Sequence, residues 1–193
     1  MNKYILPFEA ALTSDMCTRL ISLFQNNEKA AEVCQDYAYS EINMIDHPAF
    51  AEHCSLIAHA CMKTTISYLN RVALDVAQRA HWFKTCTTFE TPRIRKYSKD
   101  AGRMPWHFDA CNFDSSRRFL AIVFHLNTLQ NGDGALQFCF DDEKYNVNPR
   151  AGQCVMYPTS FSFLHQECIP KTADKFVITS FALLPDNKTY ITD

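Results

Sequence analysis

The chain has 193 residues, 47% of them apolar and 21% charged, with a formal net charge of −2. That balance excludes a broadly basic nucleic-acid-binding surface, and no run approaches the roughly 18 apolar residues of a membrane span. Four glycines cannot be arranged into a P-loop or a dinucleotide fingerprint, and nine cysteines without a C-x-x-C pair read as reduced thiols rather than a disulfide scaffold.

The opening Met1-Asn2-Lys3-Tyr4-Ile5-Leu6-Pro7-Phe8-Glu9 meets Pro7 and Glu9 before a signal-peptide core can develop, so a soluble, cytoplasmic protein is expected. Thr13-Ser14-Asp15 supplies candidate N-caps for a helix with Met16, Leu20, Ile21 and Phe24 at helical spacing, ended by Asn26-Asn27. A longer helix is predicted from about Pro48 to about Arg79, with Phe50, Cys54, Leu56, Ile57, Ala60, Cys61, Ile66, Leu69 and Val72 on its apolar face.

After Trp82 the pattern turns to β. Thr85 to Tyr97 is rich in β-branched and aromatic residues, with Arg93, Arg95 and Tyr97 on one strand face. Phe119–Leu126 fits a buried strand, and Asn131-Gly132-Asp133-Gly134 a turn leading to Ala135–Phe140. Cys154–Tyr157, Phe161–His165 and Phe176–Leu184 are the remaining strands. The expected fold class is α+β: a single domain over residues 1–193, with residues 1–84 a mainly helical layer packed on a β-sandwich or barrel at residues 85–185.

His107-Phe108-Asp109 is the only H-x-D in the chain. Seven histidines and thirteen aspartates would produce about half of one such match by chance, so the motif alone reads as a surface His beside an Asp. A third ligand gives it weight. His165 ends a predicted strand, and two His with one carboxylate form the triad that suits Fe(II) with positions left open for a 2-oxo acid and O2. Zinc or another divalent metal fits the same ligands. Lys175, ten residues past His165, offers a cation for a distal carboxylate, and Tyr97, ten before His107, a hydroxyl.

From Arg93 to Leu184 the chain resembles the prolyl 4-hydroxylase-like Fe(II)- and 2-oxoglutarate-dependent dioxygenases. The resemblance is carried by Tyr97 followed by His107-Phe108-Asp109, by Phe124-His125-Leu126-Asn127, and by Gly132-Asp133-Gly134-Ala135-Leu136. It continues through Pro149-Arg150-Ala151-Gly152, Tyr157-Pro158, His165, Lys175 and Phe181. It implies a double-stranded β-helix of eight strands with helices on the major sheet, and iron held by His107, Asp109 and His165. It also implies 2-oxoglutarate bound through Lys175 and Tyr97, O2 as co-substrate and ascorbate as accessory reductant. Where the family often carries a tyrosine, this chain has His125.

Thr179 and Phe181 share the face of Lys175 and are candidates for the co-substrate and substrate pockets. Arg95, Arg118 and Trp106 are further substrate-binding candidates. The implied reaction is hydroxylation of an unactivated C–H bond, with a prolyl residue of a peptide or protein as leading substrate and a small amino-acid-like molecule as the other. No membrane partner is expected, and nucleic acid is disfavoured. The alternative from another class is a non-catalytic β-helix module that binds a metal, a small ligand or a protein partner. Cys111 reads as a buried thiol without a role, and His47, His53, His59 and His81 as structural or exposed.

Overall fold

A computed structural model describes residues 2–74 and 88–185. Among them twelve strands and two α-helices follow one another as β1 (Leu6–Phe8), α1 (Ser14–Asn26), β2 (Glu32–Cys34), β3 (Tyr39–Asn43), α2 (Ala51–Leu74), β4 (Thr88–Phe89) and β5 (Arg93–Tyr97). Then come β6 (Met104–His107), β7 (Arg118–His125), β8 (Leu136–Phe140), β9 (Glu143–Val147), β10 (Cys154–Pro158), β11 (His165–Glu167) and β12 (Lys175–Leu183). The strands form a major sheet in the order β1-β10-β7-β12-β5-β3-β2, with β4 beside β12, and a minor sheet in the order β6-β11-β8-β9. Four central strands of the major sheet (β10, β7, β12, β5) face the four minor ones, which is the expected eight-stranded double-stranded β-helix.

The major sheet separates two cores because its side chains alternate. On β12, Phe176, Ile178 and Ala182 join Leu120, Ile122 and Phe124 of β7 in a core shared with the helices. Val177 points the other way, with Ala121, Val123 and Tyr97, toward Leu136 and Phe138 of the minor sheet. Each odd-numbered position of β12 is thereby aimed into the space between the sheets. Both helices cover the outer core, through Cys17, Leu20 and Phe24 of α1 and through Ile57, Cys61, Tyr68 and Val72 of α2.

Local chemistry explains the helix limits. The Thr13 side chain accepts from the Met16 N–H at 3.2 Å. Asn27 returns its side-chain amide to the Leu23 carbonyl at 2.8 Å, closing α1. Pro48 opens a short 3-10 turn, Pro48–Phe50, that leads into α2. The predicted continuation of this helix to Arg79, His81 itself, and the start of the next strand at Thr85 lie outside the described residues.

Several expectations are corrected. The first half is not only helical: β1 pairs with β10, β2 with β3, and β3 with β5, so it supplies three strands of the major sheet. Short strands of this kind fall below the length at which an alternation becomes legible. Leu56 and Ile66 are exposed, whereas His53, Thr64 and Thr65 are buried. The true inner stripe of α2 runs Ile57, Cys61, Thr64, Tyr68, Val72, and the Thr64 hydroxyl is satisfied by the Ala60 carbonyl at 2.8 Å. The turn at Asn131–Gly134 leads to β8 as expected, and it carries the chain from the major sheet across to the minor one. The β9 strand was not anticipated. Phe161–Leu164 is not a strand; β11 begins at His165 and continues to Glu167.

Gly152 marks a tight approach between the amino-terminal segment and the β-helix. Its φ is +79°, and a Cβ there would lie 2.3 Å from the Leu12 carbonyl oxygen. The Gly152 carbonyl meanwhile accepts from the Leu12 N–H at 3.1 Å. Gly152→Ala is therefore expected to destabilise the fold by about 1–3 kcal/mol through strain and the lost contact. Thermal unfolding measures this, and an unchanged melting temperature would contradict the assigned contact.

Candidate active site

Strand pairing brings the H-x-D motif to the distal histidine. In the antiparallel β6–β11 pair, His107 is directly opposite His165. Their ring centroids are 4.2 Å apart. Asp109 lies two residues beyond His107, past the end of β6, so the H-x-D pair spans the strand's end. Its carboxylate nevertheless faces both rings, with Oδ1 3.6 Å from His107 Nε2 and Oδ2 3.7 Å from His165 Nε2. One donor atom from each of the three residues lies within 4.8 Å of the others, the only such group of three among the described residues.

Both imidazoles are oriented by the backbone. His107 Nδ1 is 2.8 Å from the Pro105 carbonyl oxygen, and His165 Nδ1 is 2.9 Å from that of Phe163. A carbonyl can only accept, so each Nδ1 carries a proton and Nε2 is the nitrogen turned toward Asp109. The Tyr157 hydroxyl, 3.1 Å away, then donates to His165 Nε2. Burial disfavours the charged form of each group, but the effects diverge. Burial and the nearby His107 hold His165 below its ordinary value. At His107 the Asp109 carboxylate outweighs burial and raises the pKa; the two imidazoles outweigh burial at Asp109 and lower it.

The donor set fits a divalent cation on this structure's own terms. Glu41, Asp109 and Glu167 are the buried carboxylates among the described residues. Glu41 and Glu167 each hydrogen-bond to a basic side chain. Asp109 has two imidazoles and no such partner; its Oδ2 is buried without a hydrogen bond. Arg118 donates to the Asp109 backbone carbonyl at 3.2 Å and leaves the carboxylate free. Two imidazole nitrogens and an unpaired carboxylate suit iron in an open-sided site.

The other sequence candidates divide into two groups. Tyr97 and Lys175 are opposite each other on β5 and β12, both buried, with the ammonium 5.7 Å from the ring centroid. His125 lies opposite Val177, fully buried, and neither ring nitrogen has a partner. Its burial, with Lys175 nearby, drives its pKa well down, so the ring is neutral. Thr179 shares the inward face of β12.

The second group lines a groove of about 390 Å³ that opens beside the triad. Trp106, Arg95, Arg118, Thr179 and Phe181 all contribute to it. The arginines are already paired. Arg118 makes a two-pronged contact with Glu90 at 2.8 and 2.9 Å and lies 4.0 Å over the Phe181 ring; Arg95 and Arg93 share Glu41. Cys111, expected to be buried, is exposed and lines the same groove.

Tyr157, Glu167, Glu41 and Glu90 escaped the sequence reading. Alternation along Cys154–Tyr157 places Tyr157 inward with Val155, a signal that was available. Glu167 was hidden by the misplaced strand end: two residues beyond His165 on one strand, it shares that residue's face. Glu41 and Glu90 reach the site from segments 52 and 28 residues away from their arginine partners, which no local pattern reveals.

The geometry defines a double-stranded β-helix with an open groove beside a triad that could hold a metal ion. Residues 92–183, just under half of the chain, match the family model of the 2OG-Fe(II) oxygenase superfamily. The whole fold is similar to a Pseudomonas putida prolyl-4-hydroxylase, at 17% identity and a TM-score of 0.68 over 95% of this chain and 94% of that one. It is also similar to a Trichoplax adhaerens prolyl hydroxylase in complex with a hypoxia inducible factor peptide fragment (12% identity, TM-score 0.66, 94% of this chain and 84% of that one). A third is the viral collagen prolyl hydroxylase from Paramecium Bursaria Chlorella virus-1 (14%, 0.60, 93% and 96%). No curated protein sequence matches. No described helix is long and apolar enough to cross a membrane.

Glu41 binds β3 to β5 electrostatically. Burial opposes its ionisation, yet Arg95 and Arg93 lower its pKa below the ordinary 4.5. A depressed carboxylate stabilises fully above the unfolded value, and loses that contribution as the pH falls through the folded one. Glu41→Gln should therefore cost about 1–3 kcal/mol at neutral pH. The gap to wild type should shrink as the pH drops below about 4.5. Denaturant titrations at pH 7 and pH 4 measure both; an equal gap at the two values would reject the ionic role.

Proposed function

We propose that this chain is an Fe(II)- and 2-oxoglutarate-dependent dioxygenase that hydroxylates a prolyl residue in a peptide or protein, working as one catalytic unit over its full length. The observation that carries the reading is the convergence of His107, Asp109 and His165 on one point beside an open groove, with Nδ1 of each imidazole held by a backbone carbonyl. These three residues would hold the iron. Iron, 2-oxoglutarate and O2 together supply the oxidative chemistry, in which the 2-oxo acid leaves as succinate and CO2 while a C–H bond becomes C–OH.

The chain's own residues do the rest. Lys175 is the residue placed to receive the distal carboxylate of the co-substrate, with Tyr97, His125 and Thr179 on adjoining inward positions. His125 has two ring nitrogens free for that task. Pro105 and Phe163 hold the ligand rings through their carbonyls. Asp109 and His165 are buried and His107 is half-buried, which limits the water around the triad.

The groove favours a residue within a chain over a free amino acid. Glu41 is shared by Arg93 and Arg95, and Glu90 pairs with Arg118, so the charged side chains are engaged with one another. A free amino acid brings two charges that each need a partner, whereas a prolyl ring brings none. Met104, Trp106, Leu164 and Phe181 offer apolar surface for such a ring. The peptide bound by the structurally similar Trichoplax adhaerens enzyme supports the same substrate class. The described cysteines are free, which suits a reducing cytoplasm, and ascorbate is the accessory reductant of this scheme.

The test is anaerobic addition of 2-oxoglutarate to the Fe(II)-loaded protein. A weak visible charge-transfer band is expected, absent in His165→Ala. Proline-containing peptides should then stimulate succinate release, at least ~100-fold less in His107→Ala or Asp109→Ala. Lys175→Ala should chiefly raise the 2-oxoglutarate concentration required. Metal bound without a band would point instead to a non-catalytic module, and full turnover in His107→Ala would reject the iron assignment.

A further inference from the structure

The ammonium that should greet the co-substrate is already taken. Lys175 is completely buried, and its Nζ donates to the Gly134 carbonyl at 2.6 Å and to the Glu167 carboxylate. Glu167 is itself buried on β11, two residues beyond His165 and on the same face. An inner cavity beside the triad is lined by Tyr97, Tyr157, Thr179 and Glu167 but not by Lys175. Its volume is only about 20 Å³, room for little more than one water molecule. Glu167 therefore stands between the ammonium and the space in which a 2-oxo acid would bind.

We infer that Glu167 competes with the distal carboxylate of the co-substrate for Lys175, and so weakens the preference for 2-oxoglutarate over 2-oxo acids with an uncharged tail. This rests on the oxygenase reading above. One buried ammonium cannot neutralise two buried carboxylates, and a second anion in this low-dielectric space must either displace the first or meet its repulsion. Among the described residues lining the cavity, no lysine or arginine is left unengaged. Arg95, also on the cavity wall, is bonded to Glu41. His125 is buried next to Lys175 and can add a hydrogen bond but not a charge. Lys175 retains one N–H after its two bonds, enough to contact an incoming oxygen without a net charge to offer. Gly134 fixes the arrangement from behind: with φ at +57° its carbonyl meets Nζ, and a Cβ there would lie 3.4 Å from the Lys175 side chain.

Calorimetric binding to the Fe(II)-loaded protein under argon tests this, with 2-oxoglutarate and 2-oxopentanoate as the two probes. Wild type should bind them within about tenfold of each other, and Glu167→Gln should bind 2-oxoglutarate at least ~10-fold more tightly with 2-oxopentanoate unchanged. Added 2-oxoglutarate should also raise the melting temperature of Glu167→Gln more than that of wild type, because it restores a counter-ion to Lys175. An unchanged 2-oxoglutarate affinity in Glu167→Gln overturns the inference and leaves the oxygenase reading standing. Failure of the wild type to bind either acid overturns both. If Glu167→Gln does not fold, the wild-type ratio decides alone, and a preference for 2-oxoglutarate beyond about tenfold rejects the competition.

Discussion

The antiparallel pairing of β6 with β11 sets His107 directly opposite His165, and most of the site follows from that register. A shift of one residue in either strand would turn one imidazole out of the space between the sheets. The register is held from both sides. β11 also pairs with β8 through His165 and Phe138, and the Phe138 ring packs 5.6 Å from that of His165. The two Nδ1 bonds to Pro105 and Phe163 then convert a correct register into a correct ring orientation. Each bond runs two residues back along the same chain, so each ring is anchored by its own chain segment.

Alternation on β12 gives the second constraint. One strand carries the outer core on Phe176, Ile178 and Ala182, and the inner chemistry on Lys175, Val177 and Thr179. Helix packing on one face therefore fixes the inward residues on the other, because the same backbone serves both. Lys175 and Tyr97 face each other across β12–β5, while β12–β7 brings Val177 opposite His125. Four inward positions on three neighbouring strands thus surround one volume.

How far this was legible depended on the range of each interaction. The H-x-D, the distal His165 and the Lys175 spacing are local features, and their order along the chain carried the fold and pointed to the three residues that the structure brings together. The helix caps at Thr13 and Asn27 were legible for the same reason. What failed was contact between distant segments. β2 and β3 are short and take their stability from pairing with β5, so their own residues give little periodic signal. The end of β11 was misjudged by two residues, and that small error concealed Glu167, whose side chain changes the electrostatics of the whole inner pocket. Leu56 and Ile66 misled in the opposite sense, being apolar yet exposed on α2.

The charges between the sheets follow one rule with a single departure. Glu167 meets Lys175, Glu41 meets Arg95 and Arg93, and Glu90 meets Arg118. Each pairing offsets a desolvation cost that neither member could bear alone. Asp109 is the exception, since the nearest basic side chain, Arg118, contacts its backbone carbonyl instead. Two imidazoles at 3.6 and 3.7 Å are too far for good hydrogen bonds, and Oδ2 remains unsatisfied. Three carboxylates are satisfied with lysine or arginine and the fourth is left to two imidazoles, an arrangement that could hold a cation that is not a side chain. The fold thereby keeps lysine and arginine away from the one carboxylate at which they would block a metal, while using them everywhere else to keep the interior charge in balance.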